Sequence, residues 1–145
     1  MKKFSVFFMV VMAAVMSFTF SSCLDDDEAI AYYLDGEWRG TIYSMDDQRY
    51  DVTMYFDQYQ NYYATSGTGY EVDRGWWGRN SRMAFNWYVK NGNIYIEYAD
   101  ADRTRVIVDY DRLPRSAARG ERFWGYFVDW NTDETLAEFD LTKVD

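Results

Sequence analysis

From residue 36 onward, apolar and polar side chains alternate one by one. Tyr50, Val52, Met54 and Phe56 alternate with Asp51, Thr53, Tyr55 and Asp57, the two-residue period of a strand with one buried face. Met83, Phe85, Trp87 and Val89 repeat the pattern, and Asn91-Gly92 follows at once. That dipeptide predicts a type I′ hairpin, because both central residues need positive φ. Ile94, Ile96 and Tyr98 share one face of the returning strand. Asp100-Ala101-Asp102 then turns the chain into Thr104, Val106, Val108 and Tyr110. Phe123 to Trp130 and Leu136 to Leu141 predict two more strands joined by Asn131-Thr132-Asp133-Glu134. Further strands are expected near Glu37 to Ser44 and around Tyr62 to Val72. Arg112 to Gly120 has neither period, contains the only proline, Pro114, and reads as a loop.

Seven or eight strands with short connections predict an all-β fold, a single antiparallel meander. Closure into a barrel removes the exposed edges. A two-sheet β-sandwich is the alternative. The residues expected on inward phases are large, among them Phe56, Phe85, Trp87 and Tyr98. They favour an interior filled with side chains over one that holds a small ligand.

The N-terminus follows different rules. Lys2 and Lys3 precede an apolar run from Phe4 to Phe20, broken only by Ser5, Ser17 and Thr19, and the small residues Ser21 and Ser22 lead to Cys23. This reads as a secretion signal. The run is nearly long enough to span a bilayer, so an uncleaved anchor competes. The small residues before Cys23 and the lack of a cationic flank after the run weigh against it. Phe20-Ser21-Ser22-Cys23 resembles a bacterial lipobox, with Phe20 where leucine is usual. The run Leu24-Asp25-Asp26-Asp27-Glu28 resembles the acidic export signal of Bacteroidota surface lipoproteins. The resemblance implies that the mature chain starts at Cys23, is acylated there, and sits on the outer membrane facing outward. Its membrane partner would be reached through that lipid, and two or more acyl chains anchor stably. A free thiol beside a retained anchor, or a soluble secreted protein, is the competing reading. The expected organisation is a signal peptide over 1–22, a lipidated cysteine and acidic tether over 23–31, and a β-barrel domain over 32–145. The tether shows no helical or strand period.

Without residues 1–22 the chain keeps 13 basic against 24 acidic residues, a net charge of −11, and retains all six tryptophans and all fourteen tyrosines. Such a balance argues against a nucleic-acid partner, since little positive charge is present to displace phosphate counterions. One cysteine allows no intramolecular disulfide, so a single core must stabilise the fold.

Gly36-Glu37-Trp38 at the entrance of the first strand, after Tyr32-Tyr33-Leu34, resembles the start of a lipocalin-type barrel. In that family the tryptophan packs across the closed end and a basic residue late in the chain covers it. The resemblance offers Arg122 or Lys143 for that part.

Adjacent aromatics are the candidate binding residues. Successive side chains on a strand point to opposite faces, so Trp76-Trp77 and Tyr62-Tyr63 cannot both be core. Gly75-Trp76-Trp77-Gly78, between Arg74 and Arg79, reads as a segment presenting aromatic surface to a sugar ring or partner. The competing reading has these pairs closing the barrel ends and burying each other. Arg103, Arg105, Arg112, Arg115, Arg119 and Arg122 cluster within twenty residues. They read as surface ion pairs with neighbouring acids, or as a dock for an anionic glycan or acidic partner.

No histidine is present, which excludes Ser-His-Asp and Cys-His chemistry and histidine metal sites. The acids fall on outward phases or in turns, Glu97 and Asp109 included, and Asp100 with Asp102 is too little for calcium. No catalytic residue, metal or cofactor is expected. The expected function is a non-catalytic binding module for a glycan or small apolar ligand, acting through aromatic residues. An accessory subunit of another surface protein is the alternative, and a carboxylate-dependent glycoside hydrolase is a distant third.

Overall fold

A computed structural model describes residues 26–59, 64–74, 80–100 and 102–145. A helix, α1 (Asp26–Leu34), leads into eight strands: β1 (Gly36–Ser44), β2 (Arg49–Gln58), β3 (Ser66–Arg74), β4 (Asn80–Lys90), β5 (Asn93–Tyr98), β6 (Arg105–Arg112), β7 (Arg122–Asp129) and β8 (Thr135–Lys143). Each strand pairs antiparallel with the next, and β1 pairs with β8 from Trp38↔Lys143 to Ser44↔Ala137, closing the barrel. The all-β meander expected from the alternation is the observed fold, and the barrel form holds rather than the sandwich. Asn91 and Gly92 have φ of 52° and 78°, as a type I′ hairpin requires.

The interior is packed. Trp38, Phe56, Trp87, Phe123, Phe139, Met54, Ile94, Ile96 and Leu141 are almost wholly buried, and their rings interlock: Phe56 meets both Phe85 and Trp87, and Phe123 meets Trp38 and Phe139. Room for these rings comes from β3, whose inward face begins Gly67, Gly69. A Cβ on Gly67 would lie 2.9 Å from Trp87, and one on Gly69 would lie 2.5 Å from Phe85.

One expectation fails. The stretch through residue 31 reads as an aperiodic tether, yet Asp26 onward forms α1, with Ala31 and Leu34 completely buried. Nine residues are too few to show a period or to be stable alone. The helix is held instead by what it touches. Asp26, Asp27 and Glu28 occupy its first turn, where negative charge opposes the positive end of the helix dipole. Asp27 accepts hydrogen bonds from the backbone N–H groups of Asn91 (2.8 Å) and Gly92 (2.6 Å), which ties the helix to the β4–β5 hairpin. The folded domain therefore includes the acidic residues from Asp26 on, rather than starting at residue 32.

Candidate functional site

The barrel has two unlike ends. At the end covered by α1, Trp38 donates its indole N–H to the Leu34 carbonyl at 2.8 Å. Lys143 donates to the Tyr33 carbonyl at 3.0 Å, and its ammonium lies 5.4 Å from the centre of the Trp38 ring. Lys143, not Arg122, is the basic residue over the tryptophan. It also supplies the positive charge that the last turn of α1 lacks, next to the negative end of the helix. Burial pulls the Lys143 ammonium below its usual range, against the opposing pull of Asp35, Asp145 and Glu121. Arg122 instead pairs with Asp140 on the outer surface at 2.7 Å.

Beside this end, on the outer wall, lies a cleft of about 580 Å³ lined by Tyr32, Asp35, Glu37, Tyr55, Asp57 and Tyr70. Its aromatic wall is built by register. Tyr55 on β2 sits opposite Tyr70 on β3, and their rings stack with centroids 4.3 Å apart at 24°. The Arg82 guanidinium lies 3.9 Å from the Tyr70 ring centre and closes the far side of the stack. Glu37, opposite Tyr55 on β1, is held by Arg39 at 2.6 Å. Partial desolvation, then the Glu37 charge, push the Tyr55 hydroxyl above its ordinary value, so it stays a neutral donor. Half-buried rings with carboxylates and hydroxyls around them suit a polyol that stacks an apolar ring face and donates its hydroxyls. Among the described lining residues the acids Asp35, Glu37, Asp57 and Asp145 outnumber the cation Lys143, a balance that disfavours an anion.

A smaller cleft of about 430 Å³ lies across β8, lined by Tyr43 of β1, Arg122 and Trp124 of β7, and Glu138 and Asp140 of β8 itself. It has the same chemistry. Trp124 donates its indole N–H to Glu138 at 3.2 Å, and Tyr43 is 42% exposed. A third aromatic group runs over β4 and β5, where Tyr88 stacks on Tyr95 at 4.7 Å and Tyr95 meets Trp130 at 5.2 Å.

Cys23, Tyr62, Tyr63, Trp76 and Trp77 lie outside the described residues. The chain leaves for Tyr62 and Tyr63 from β2 at the helix-covered end, and for Trp76 and Trp77 from β3 at the opposite rim. Of the arginine cluster, Arg105 pairs with Glu97 at 3.6 Å and lies over Trp130, and Arg122 pairs with Asp140. Asp100 accepts hydrogen bonds from the Thr104 N–H and hydroxyl, closing its own turn. These contacts hold its carboxyl below the usual range.

Two features escape the sequence. The Tyr55–Tyr70 stack depends on a pairing between strands that no single-strand pattern reveals. Glu71 is an acid on an inward phase: only 4% exposed, it accepts a hydrogen bond from the Tyr98 hydroxyl. The signal was the phase of β3, where Gly67, Gly69, Glu71 and Asp73 share the face that glycines leave open for neighbouring rings. Among the described residues no group of three or more Cys, Asp or Glu is placed to hold a metal ion.

No protein-family pattern matches this chain, and no curated protein sequence matches it. Among solved structures it is similar to a redesigned β-barrel, with a TM-score of 0.56 and 18% sequence identity, over 86% of this chain and all of the other. At that identity the likeness shows the fold alone.

Proposed function

We propose that the protein is a lipid-anchored, non-catalytic binding module of the outer membrane that holds a neutral glycan on its outer wall, at the cleft walled by Tyr55 and Tyr70. The carrying observation is the contrast between a filled interior and a stacked tyrosine pair on the outside, edged by Glu37, Asp35 and Asp57. A barrel interior occupied by Trp38, Phe56, Trp87 and Phe139 supports recognition on the surface rather than within. The Trp124 cleft across β8 offers a second aromatic and carboxylate surface of the same kind. Cys23 stands three residues before the first turn of α1, so an acylated Cys23 would hold the barrel close to the membrane.

Calorimetry of the purified domain against neutral oligosaccharides selected on a glycan array tests the reading. Tyr55→Ala and Tyr70→Ala are each expected to weaken binding at least tenfold while the fold persists. Absence of binding to every neutral glycan, or binding indifferent to both substitutions, overturns it. Labelling with a fatty-acid analogue in wild type and Cys23→Ala cells tests the anchor. The accessory-subunit reading has its own support in the Tyr88–Tyr95–Trp130 group, whose Trp130 is 36% exposed. A stoichiometric partner captured by the anchored protein and lost in Trp130→Ala would favour it.

A further inference from the structure

Glu71 is the only acid among the described residues that the barrel fully buries, and the outer cleft makes no use of it. It lies near the rim opposite α1, with Met54 of β2 and Met83 of β4 as its strand partners. The Tyr98 hydroxyl donates to one of its oxygens. Asp73, two residues on and on the same inward face, lies within hydrogen-bonding reach. The Asp73 Oδ1 atom is buried, and no donor reaches it. Two ionised carboxylates in contact inside a packed barrel would leave that oxygen without a donor and repel each other. One proton resolves both problems. Carried by Glu71, it makes that carboxyl a donor to Asp73 while its other oxygen still accepts from Tyr98.

We propose that Glu71 holds a proton in the folded barrel and donates it in a hydrogen bond to Asp73, so that this single proton locks the rim opposite α1 and its loss loosens β3 and β4 there. The surroundings agree. β2 and β4 offer Met54 and Met83, β1 offers the Ser44 hydroxyl at the same rim, and β5 offers Tyr98 and, beyond it, Asp100. Among the described residues no cation acts on Glu71. Arg82 faces outward onto Tyr70 and Arg74 is exposed. Burial first, then the Asp73 charge and hydrogen bond, push the Glu71 carboxyl from 4.5 up to about 8. Burial and the neighbouring Glu71 keep the Tyr98 hydroxyl protonated well beyond its ordinary range.

Because the folded state holds this proton more tightly than the unfolded chain, the stability it confers is complete below about pH 4.5. It is lost as pH rises toward about 8. Across that window one proton changes the folding equilibrium about tenfold per pH unit. The test is carboxyl carbon NMR of glutamate-labelled protein, with stability measured by denaturant at pH 5 and pH 9. Glu71 is expected to titrate far above the exposed acids, and to move down when Asp73→Asn removes the neighbouring charge. In Glu71→Gln the amide imitates the protonated acid, and this part of the pH dependence is expected to vanish. Amide protection at the rim, at Val72 and Met83, is expected to fall above pH 8 while that of Trp38 and Leu141 holds. A Glu71 carboxyl that titrates with the exposed acids overturns the proposal, and so does a Glu71→Gln variant with the wild-type pH dependence. Should that variant fail to fold, the wild-type titration decides alone.

Discussion

The two ends of this barrel solve one problem in different ways. Both must finish a packed interior where strands stop and backbone and side-chain polar groups meet water. At the α1 end a short helix covers the opening, and its polar groups find partners: the Trp38 indole on Leu34, Lys143 on Tyr33, Asp27 on the β4–β5 hairpin. At the opposite rim no described helix covers the strands, and the Ser44 hydroxyl and one Asp73 oxygen stay buried without partners. Glu71 lies between Met54 and Met83, and among the described residues only Tyr98 donates to it. One end is closed by added chain and direct hydrogen bonds. The other depends on a protonation state. The comparison predicts that the rim, and not the covered end, loses stability as pH rises from about 5 toward 8.

The largest effect is expected at the covered end. Trp38 is completely buried, touches Phe123, and carries both the hydrogen bond to α1 and the Lys143 ammonium. Trp38→Ala leaves a cavity beneath α1 and strips Lys143 of the aromatic face it lies on. A loss of about 3–5 kcal/mol in denaturant unfolding is expected. A loss under about 1 kcal/mol would mean that α1 is not part of the cooperative unit.

At the rim, Tyr98→Phe removes the donor to Glu71 and leaves a buried acid with one partner fewer. The expected cost is about 1–3 kcal/mol. The Tyr98 hydrogen bond is the one contact that favours the ionised Glu71, so its removal raises the pH at which Glu71 titrates. The pH-dependent part of stability should therefore extend to higher pH in Tyr98→Phe. A shift in the opposite direction would break the assignment of the proton to Glu71.

These two sites also mark how far the sequence could be read. Trp38 was legible only through resemblance: a Gly-x-Trp at the entrance of β1 is similar to a barrel family in which a late basic residue covers the ring, and it left Arg122 and Lys143 both open. The strands were legible because period-two burial is written into each one. Helix α1 was not, since nine residues fixed by contacts to Trp38, Asn91 and Gly92 carry no period of their own. Glu71 escaped because an acid between Tyr70 and Val72 reads as outward, until Gly67 and Gly69 reveal the inward phase of β3. The Tyr55–Tyr70 stack depends on the register of β2 against β3, which side-chain alternation within either strand leaves open.

A smaller effect is expected at Asp27. Its carboxylate accepts two backbone N–H bonds from the hairpin and sits in the first turn of α1. Asp27→Ala is expected to cost about 1–2 kcal/mol through lost charge-assisted bonds and dipole compensation. Asp27→Asn keeps an acceptor without the charge, and should recover part of the loss. If both substitutions cost nothing, α1 is held by Leu34 and Trp38 alone, and the hairpin clamp drops out of the account of the covered end.

The smallest effect separates Lys143 from Arg122, the two basic residues that sequence resemblance offered for the same place. Arg122 meets Asp140 on the outer wall, where both side chains are about half exposed to water. Solvent and salt screen such a pair, and most exposed pairs contribute little. Arg122→Ala should leave unfolding midpoints unchanged at physiological ionic strength. Lys143, 3% exposed and bonded to Tyr33, cannot be removed so quietly: Lys143→Ala leaves the last carbonyls of α1 without their cation and opens a gap over Trp38. Equal effects from the two substitutions would show that covering the tryptophan with a buried ammonium adds no more than an exposed ion pair. The covered end would then owe its closure to Trp38 and Leu34 packing rather than to charge.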